Sequence, residues 1–292
     1  MVLKGCGTAL VTPFKKDLSV DFAAFEKLVN RQIENGIHFL VPLGTTGETP
    51  CLTKEEKLKI LEITVRLANG KIPVIAGAGS NNTFEAIANI KEFEKTGVNG
   101  FLVVTPYYNK PTQQGMINHF KAVAESTSKS IIMYNVPGRT SVNLSADTCL
   151  ALAEIPNIIA TKEASSNYAQ ISEIIGNSPE GFSVLSGNDD ETLSLCATGA
   201  TGVISVASNI APKEMSDYLK KILEGDFNTA RKEHHRLMPL FRNCFVESNP
   251  IPAKAGLSYL GLIENVLRPP LYAASEQAYA IMQKTINQLG IK

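Results

Sequence analysis

The chain has 292 residues, a formal net charge of zero and 44% hydrophobic residues. That length suits two domains or one α/β barrel. Balanced charge gives no electrostatic footprint for nucleic acid or an anionic membrane, and no apolar run approaches the ~18 residues of a spanning helix.

The start, MVLKGCGTALVTPF, lacks a long apolar stretch followed by a small-residue cleavage site, so a cytoplasmic location is expected. The five cysteines, Cys6, Cys51, Cys149, Cys196 and Cys244, are scattered without a CxxC pair. They are expected to be small buried thiols rather than disulfides or zinc ligands. None of His38, His119, His234 and His235 has HExxH spacing, so no catalytic metal is expected.

Short apolar runs recur along the chain. They are TALVT (8–12), FLVPL (39–43), PVIAGA (73–78), FLVVT (101–105), IIMYN (131–135), IIATK (158–162), FSVLSG (182–187) and GVISV (202–206). Most are continuous rather than alternating, as in strands buried on both faces of a parallel sheet. Helical patterns lie between them. Phe22, Phe25, Leu28, Val29 and Ile33 form one stripe, interrupted only by Gln32. Thr53 with Glu56 predicts a capping box opening a helix over 53–68, and Asn82 with Glu85 suggests another start. Ile117, Phe120 and Ala124 share a face, as do Ile171, Ile174 and Ile175.

Eight buried strands alternating with helices predict an α/β fold, a (β/α)8 TIM barrel. A doubly wound sheet is the alternative, weakened by the lack of GxGxxG after the first strand. A helix at about 213–224 is expected to close the barrel. Only helices follow, packed through Leu237, Leu240 and Phe241 and through Ala278, Ile281, Met282 and Ile286. The expected division is a catalytic barrel, 1–224, and a small C-terminal all-helical domain, 225–292.

In barrel enzymes the chemistry sits at the carboxyl ends of the strands. The sixth run ends in Lys162, followed by Glu163. Either this lysine reaches water and pairs with Glu163, or burial lowers its pKa and the neutral amine forms a Schiff base with a ketone. GTTGE (44–48) offers N–H groups and hydroxyls that suit a carboxylate, although a capped tight turn looks similar. Tyr134 ends the neighbouring fifth run, as a proton shuttle or a buried phenol. Arg139, in a Pro-Gly loop, suits a second carboxylate or plain exposure. Tyr107 and Tyr108 suggest a site wall or a subunit contact. Together these groups describe a Schiff-base lyase or aldolase acting on a keto acid.

The order and spacing of GTALVTPF, LGTTGE, TPYYNKP, YNVPGRT, IIATKEAS and NPIPAK resemble the pyruvate-dependent class I aldolases of the dihydrodipicolinate synthase and N-acetylneuraminate lyase group, over nearly the whole chain. YNVPGRT, with Arg139, resembles the synthase branch. The resemblance implies that Lys162 forms the imine with pyruvate and that Tyr134 is the general acid/base. It implies that Thr46 relays protons between Tyr134 and a Tyr108 supplied by a neighbouring subunit, and that Thr45 and Thr46 hold the pyruvate carboxylate. Arg139 would bind aspartate semialdehyde, with Gly187 and Ile204 lining the pocket through their backbones. It further implies a step of diaminopimelate and lysine biosynthesis, no added cofactor, and a homo-oligomer, a dimer or a dimer-of-dimers tetramer. The alternatives are another keto-acid aldolase of the group and a catalytically silent binding barrel.

Two departures stand out. Lysine-inhibited members bind the effector at positions matching Asn81, Glu85 and Tyr107, with histidine near the start of the helix after GTTGE. Here Lys54 and Lys57 stand there, so feedback by lysine is expected to be weak or absent. Ser166 occupies a place where relatives commonly carry Gly, with no expected effect on the chemistry.

Overall fold

The computed structural model describes residues 2–292. Eight short strands run parallel: β1 (Gly5–Ala9), β2 (Phe39–Val41), β3 (Ile75–Gly77), β4 (Gly100–Val104), β5 (Ser130–Asn135), β6 (Ile158–Glu163), β7 (Ser183–Ser186) and β8 (Gly202–Ser205). Neighbours in sequence are neighbours in the sheet, and β1 pairs with β8. A parallel bridge between Leu40 and Val74 joins β2 to β3, with Leu40 N–H donating to the Pro73 carbonyl at 2.9 Å. The sheet is therefore a closed barrel, which disposes of the doubly wound alternative.

Strand boundaries depart from the expected runs by up to two residues, and at β1 by three. The first strand is Gly5–Ala9, upstream of the expected 8–12. Glycines weaken a strand signal, but here they admit a close neighbour. A Cβ on Gly7 would lie 2.1 Å from the Phe39 ring. Thr12 is thereby left in the loop, where its hydroxyl donates to the Gly47 carbonyl at 2.8 Å.

Helices α1 (Phe22–Glu34), α2 (Lys54–Ala68), α3 (Thr83–Phe93), α4 (Gln113–Glu125), α5 (Pro137–Thr140), α6 (Ala146–Ala153), α7 (Tyr168–Asn177), α8 (Thr192–Ala197) and α9 (Pro212–Leu223) belong to the barrel part. Thr53 and Glu56 form the reciprocal capping box on α2. At α3 only half of the expected pattern forms. Asn82 caps the Phe84 N–H, while Glu85 accepts from the Ser80 hydroxyl instead. Gln32, the polar interruption on α1, is buried with both ends used. Its oxygen accepts from Thr8 and its amide donates to the Ser208 carbonyl.

The core has two shells. Outside the barrel, helix stripes pack on alternate strand residues. Inside it, Phe39, Ile75, Ile132, Ala160, Leu185 and Ile204 fill the lower barrel, a packed floor rather than a pore. Beyond residue 224 come α10 (Phe227–Asn243), α11 (Ile251–Tyr259) and α12 (Glu276–Leu289). Leu237, Leu240, Phe241, Ala253, Leu257, Met282 and Ile286 join the same outer core. Among the described residues no helix is long and apolar enough to cross a membrane.

Candidate active site

Side chains alternate across a strand, and this separates the two residues of the Lys-Glu pair. Lys162 points into the barrel, while Glu163 points out toward the helices. Glu163 is fully buried, accepting from the Asn135 amide at 3.0 Å and the Ser165 hydroxyl at 2.7 Å. Burial pushes its carboxyl up to about 7 against the pull of those two donors. Lys162 is not its partner, which removes the reading of a lysine paired with Glu163.

Lys162 is 5% exposed and lines the cavity at the carboxyl ends of the strands. Its Nζ lies 4.2 Å from the ring centroid of Tyr134, its register partner on β5. Desolvation lowers its pKa to about 7. The nearby Arg139 charge acts in the same direction, and buried Asp189 opposes it. A substantial share of the amine is thus neutral and nucleophilic near neutrality. Gly187 makes room for the side chain, because a Cβ there would stand 3.1 Å from Lys162 Cε and 2.6 Å from Ala164 Cβ.

Tyr134 is buried, and desolvation pushes its phenol up to about 12. It is a proton donor at neutral pH unless another group takes its proton. Thr45–Gly47 forms a 3₁₀ turn after β2. Thr46 is buried and Thr45 exposed, and both line the cavity. Thr46 Oγ1 accepts from the Asn249 side-chain amide at 2.9 Å. Arg139, on the short α5, is exposed at the cavity mouth, and its Nη2 donates to the Asn249 carbonyl at 3.2 Å. Together with Val136, Asn188, Val206 and Phe245, these groups border about 490 Å³ of empty space, open solvent at its mouth included.

Two expected residues stand elsewhere. Ile204 is buried inside the barrel but is not among the residues bordering this cavity, whereas Val206, two residues further on, is. Tyr108 is 88% exposed and does not reach the cavity of its own chain. Its φ of +71° is strained for a bulky side chain. Ser166 is also left-handed, with φ +56°, which gives the physical reason why glycine suits that place.

An outer cavity adjoins the site, bordered by Lys57, Ser80, Glu85, Asn89 and Tyr107 as well as by Tyr134 and Arg139. Lys57 borders it. Lys54 does not border it, being ion-paired with Glu92 at 3.3 Å.

Asn249, Lys254 and Arg268 are contributors that a reading of strand ends does not find. Lys254 is fully buried against Glu48, Nζ to Oε1 2.7 Å, and also donates to the Thr12 carbonyl at 2.9 Å. The signal lay in IPAKAGL (251–257), where one lysine sits among small and apolar residues. Among the described residues no group of three or more His, Cys, Asp or Glu is disposed to hold a metal. The five cysteines are unpaired, and four are buried.

The whole chain has close relatives. It is 50% identical to the 4-hydroxy-tetrahydrodipicolinate synthase of Koribacter versatilis, covering 100% of this chain and 97% of that one. It is 48% identical to the synthase of Phocaeicola vulgatus, covering 99% and 98%. The crystal structure of dihydrodipicolinate synthase from Thermotoga maritima superposes with a TM-score of 0.97 at 44% identity, covering 99% of both chains. The model of the Dihydrodipicolinate synthetase family matches residues 2–289. With the barrel, the cavity at its strand ends and these matches in agreement, the chain belongs to the dihydrodipicolinate synthetase family.

Proposed function

We propose that this enzyme condenses pyruvate, held as an imine on Lys162, with L-aspartate 4-semialdehyde to give 4-hydroxy-tetrahydrodipicolinate, on the route to diaminopimelate and lysine. The carrying observation is the Lys162 amine, buried beside Tyr134, without an ion pair, in a cavity that also holds Thr46 and Arg139.

The neutral amine attacks C2 of pyruvate and water leaves, giving the iminium. Loss of a C3 proton makes the enamine, and C3 attacks the aldehyde. The amine of the adduct then displaces Lys162 at C2, closing the ring. One water is released overall. The lysine iminium is the electron sink, so the reaction needs no added cofactor.

In this reading Tyr134 moves the protons at the imine and the new hydroxyl, supported by its position over Lys162. Thr46 relays them, and with Thr45 holds the pyruvate carboxylate at the 3₁₀ turn. Arg139, a guanidinium at the mouth, takes the carboxylate of the aldehyde substrate. Gly187 leaves space for the imine. We assign Tyr108 to a neighbouring subunit's site, supported by its exposure and by its absence from the border of its own chain's cavity. Phe84 is also exposed, at 83%, and its segment is joined to that of Tyr108 by the Asn109 side chain donating to the Asn81 carbonyl. Two exposed aromatics on linked segments favour a dimer at least, with a tetramer as a pair of dimers. Residues 225–292 act as a unit that closes the site through Asn249. Unpaired, mostly buried cysteines support a reducing, cytoplasmic setting.

The test is a coupled assay with pyruvate, aspartate semialdehyde and dihydrodipicolinate reductase, following NADPH. Enzyme-dependent consumption is expected. Silence from a folded protein that still traps pyruvate under borohydride would move the activity to another acceptor aldehyde.

A further inference from the structure

The geometry points to the buried Glu48–Lys254 ion pair as a positioning device for the Thr45–Thr46 turn, operated from the C-terminal helices. Glu48 directly follows the turn and has φ +53°, a left-handed conformation that a glutamate adopts only when its surroundings hold it. Both Glu48 oxygens are held from the C-terminal part. Oε1 accepts from Lys254 at 2.7 Å and Oε2 from the Arg268 N–H at 3.1 Å.

Lys254 is anchored in turn by the Thr12 carbonyl, 2.9 Å away, and by the face of Phe14, 4.3 Å from Nζ to the centroid. Thr12 closes the loop by donating its hydroxyl to the Gly47 carbonyl. The turn is therefore gripped at Gly47 and at Glu48, immediately after Thr46. Lys254 also lies on α11, whose chain enters from Asn249, the residue that donates to Thr46 Oγ1. One helix start thus fixes both the backbone of the turn and the direction of its hydroxyl.

Two fully desolvated charges are a poor means of stabilising a fold, since an apolar pair of similar volume does as well or better. What such a pair supplies, with every donor directed, is a fixed geometry. A displacement of about 1 Å at a proton-relaying hydroxyl costs up to about a hundredfold in rate. Glu48 and Lys254 border no part of the reaction cavity, so they act through Thr46. The inference rests on the role proposed for that hydroxyl.

The experiment is a cycle of Thr46→Val with the paired change Glu48→Leu/Lys254→Met, measuring thermal midpoint, kcat and KM for pyruvate. The expected result is a paired variant that melts close to the parent, raises KM for pyruvate because the displaced turn holds its carboxylate less well, and loses about 10- to 100-fold in kcat. In the Thr46→Val background the same change is expected to cost almost nothing more, because both act through one group. A folded paired variant with parental kcat, or a loss that multiplies fully with Thr46→Val, would overturn the inference and leave the role of Thr46 standing. Undiminished kcat in Thr46→Val alone would overturn both. If the paired variant does not fold, isosteric Glu48→Gln enters the same cycle with the same expectations.

Discussion

The depressed pKa of Lys162 has a direct kinetic consequence. At about pH 7.5 a lysine of ordinary pKa, about 10.4, is neutral in about one molecule in a thousand. With a pKa of about 7, about three molecules in four are neutral at that pH, a gain of nearly three orders of magnitude in competent nucleophile. The initial rate of imine formation should therefore climb through a midpoint near pH 7 and level off above it. Quenching with borohydride and counting radiolabelled pyruvate bound per chain measures this across the pH range. Arg139→Gln should move the midpoint upward, since the guanidinium lowers the Lys162 pKa. A midpoint still near that of free lysine would refute the claim that burial activates this amine. An unmoved midpoint in Arg139→Gln would refute the electrostatic link to the cavity mouth.

Arg139→Ala should raise KM for aspartate semialdehyde about 10- to 100-fold, the loss of a charge-assisted carboxylate contact, while borohydride trapping of pyruvate persists. Glu163→Gln should stabilise the protein by about 3 kcal/mol at pH 8, read by denaturant titration. The sign follows from its raised folded-state pKa of about 7 against the usual 4.5. Between those values the folded state keeps a proton that the unfolded state has lost, so wild-type stability falls as pH rises through that window. The advantage of the variant should shrink as pH is lowered through the same window, and a pH-independent difference would contradict the argument. Lysine should inhibit weakly, because the cation of Lys57 in the outer cavity opposes the lysine ammonium by roughly 1 kcal/mol or more. An inhibition curve with a submillimolar midpoint would contradict it.

The barrel was legible because parallel strands buried on both faces leave continuous apolar runs, and all eight appear. The boundary error at β1 has a local cause. Gly5 and Gly7 look unlike a strand in sequence, yet they are needed where the His38 and Phe39 rings approach closely. That Lys162, Tyr134, Thr46 and Arg139 border one cavity was legible because each ends a strand or starts the loop after it, so local position implied convergence. The choice between a paired and a desolvated Lys162 was open in sequence, since it turns on which strand face Glu163 occupies. Asn249 and Lys254, which bound the motif NPIPAK, and Arg268 were given no role because their partners, Thr46, Glu48 and Glu56, lie about 200 residues away. No spacing rule joins them, and only the docking of the C-terminal helices does. Tyr108 is the converse case: sequence alone left a site wall or a subunit contact open, and the side chain is exposed and does not border its own chain's cavity.

Two buried lysines have depressed pKa values, Lys162 at about 7 and Lys254 at about 8. Only Lys162 borders the cavity, while Lys254 is sealed in its ion pair. The most direct measurement is therefore peptide mass mapping after incubation with pyruvate and borohydride. The expected result is a single adduct, pyruvate less water plus two hydrogens, on the peptide carrying Lys162, and its loss in Lys162→Met. An adduct on Lys254 or another lysine, or none at all on the folded protein, would contradict Lys162 as the imine-forming residue.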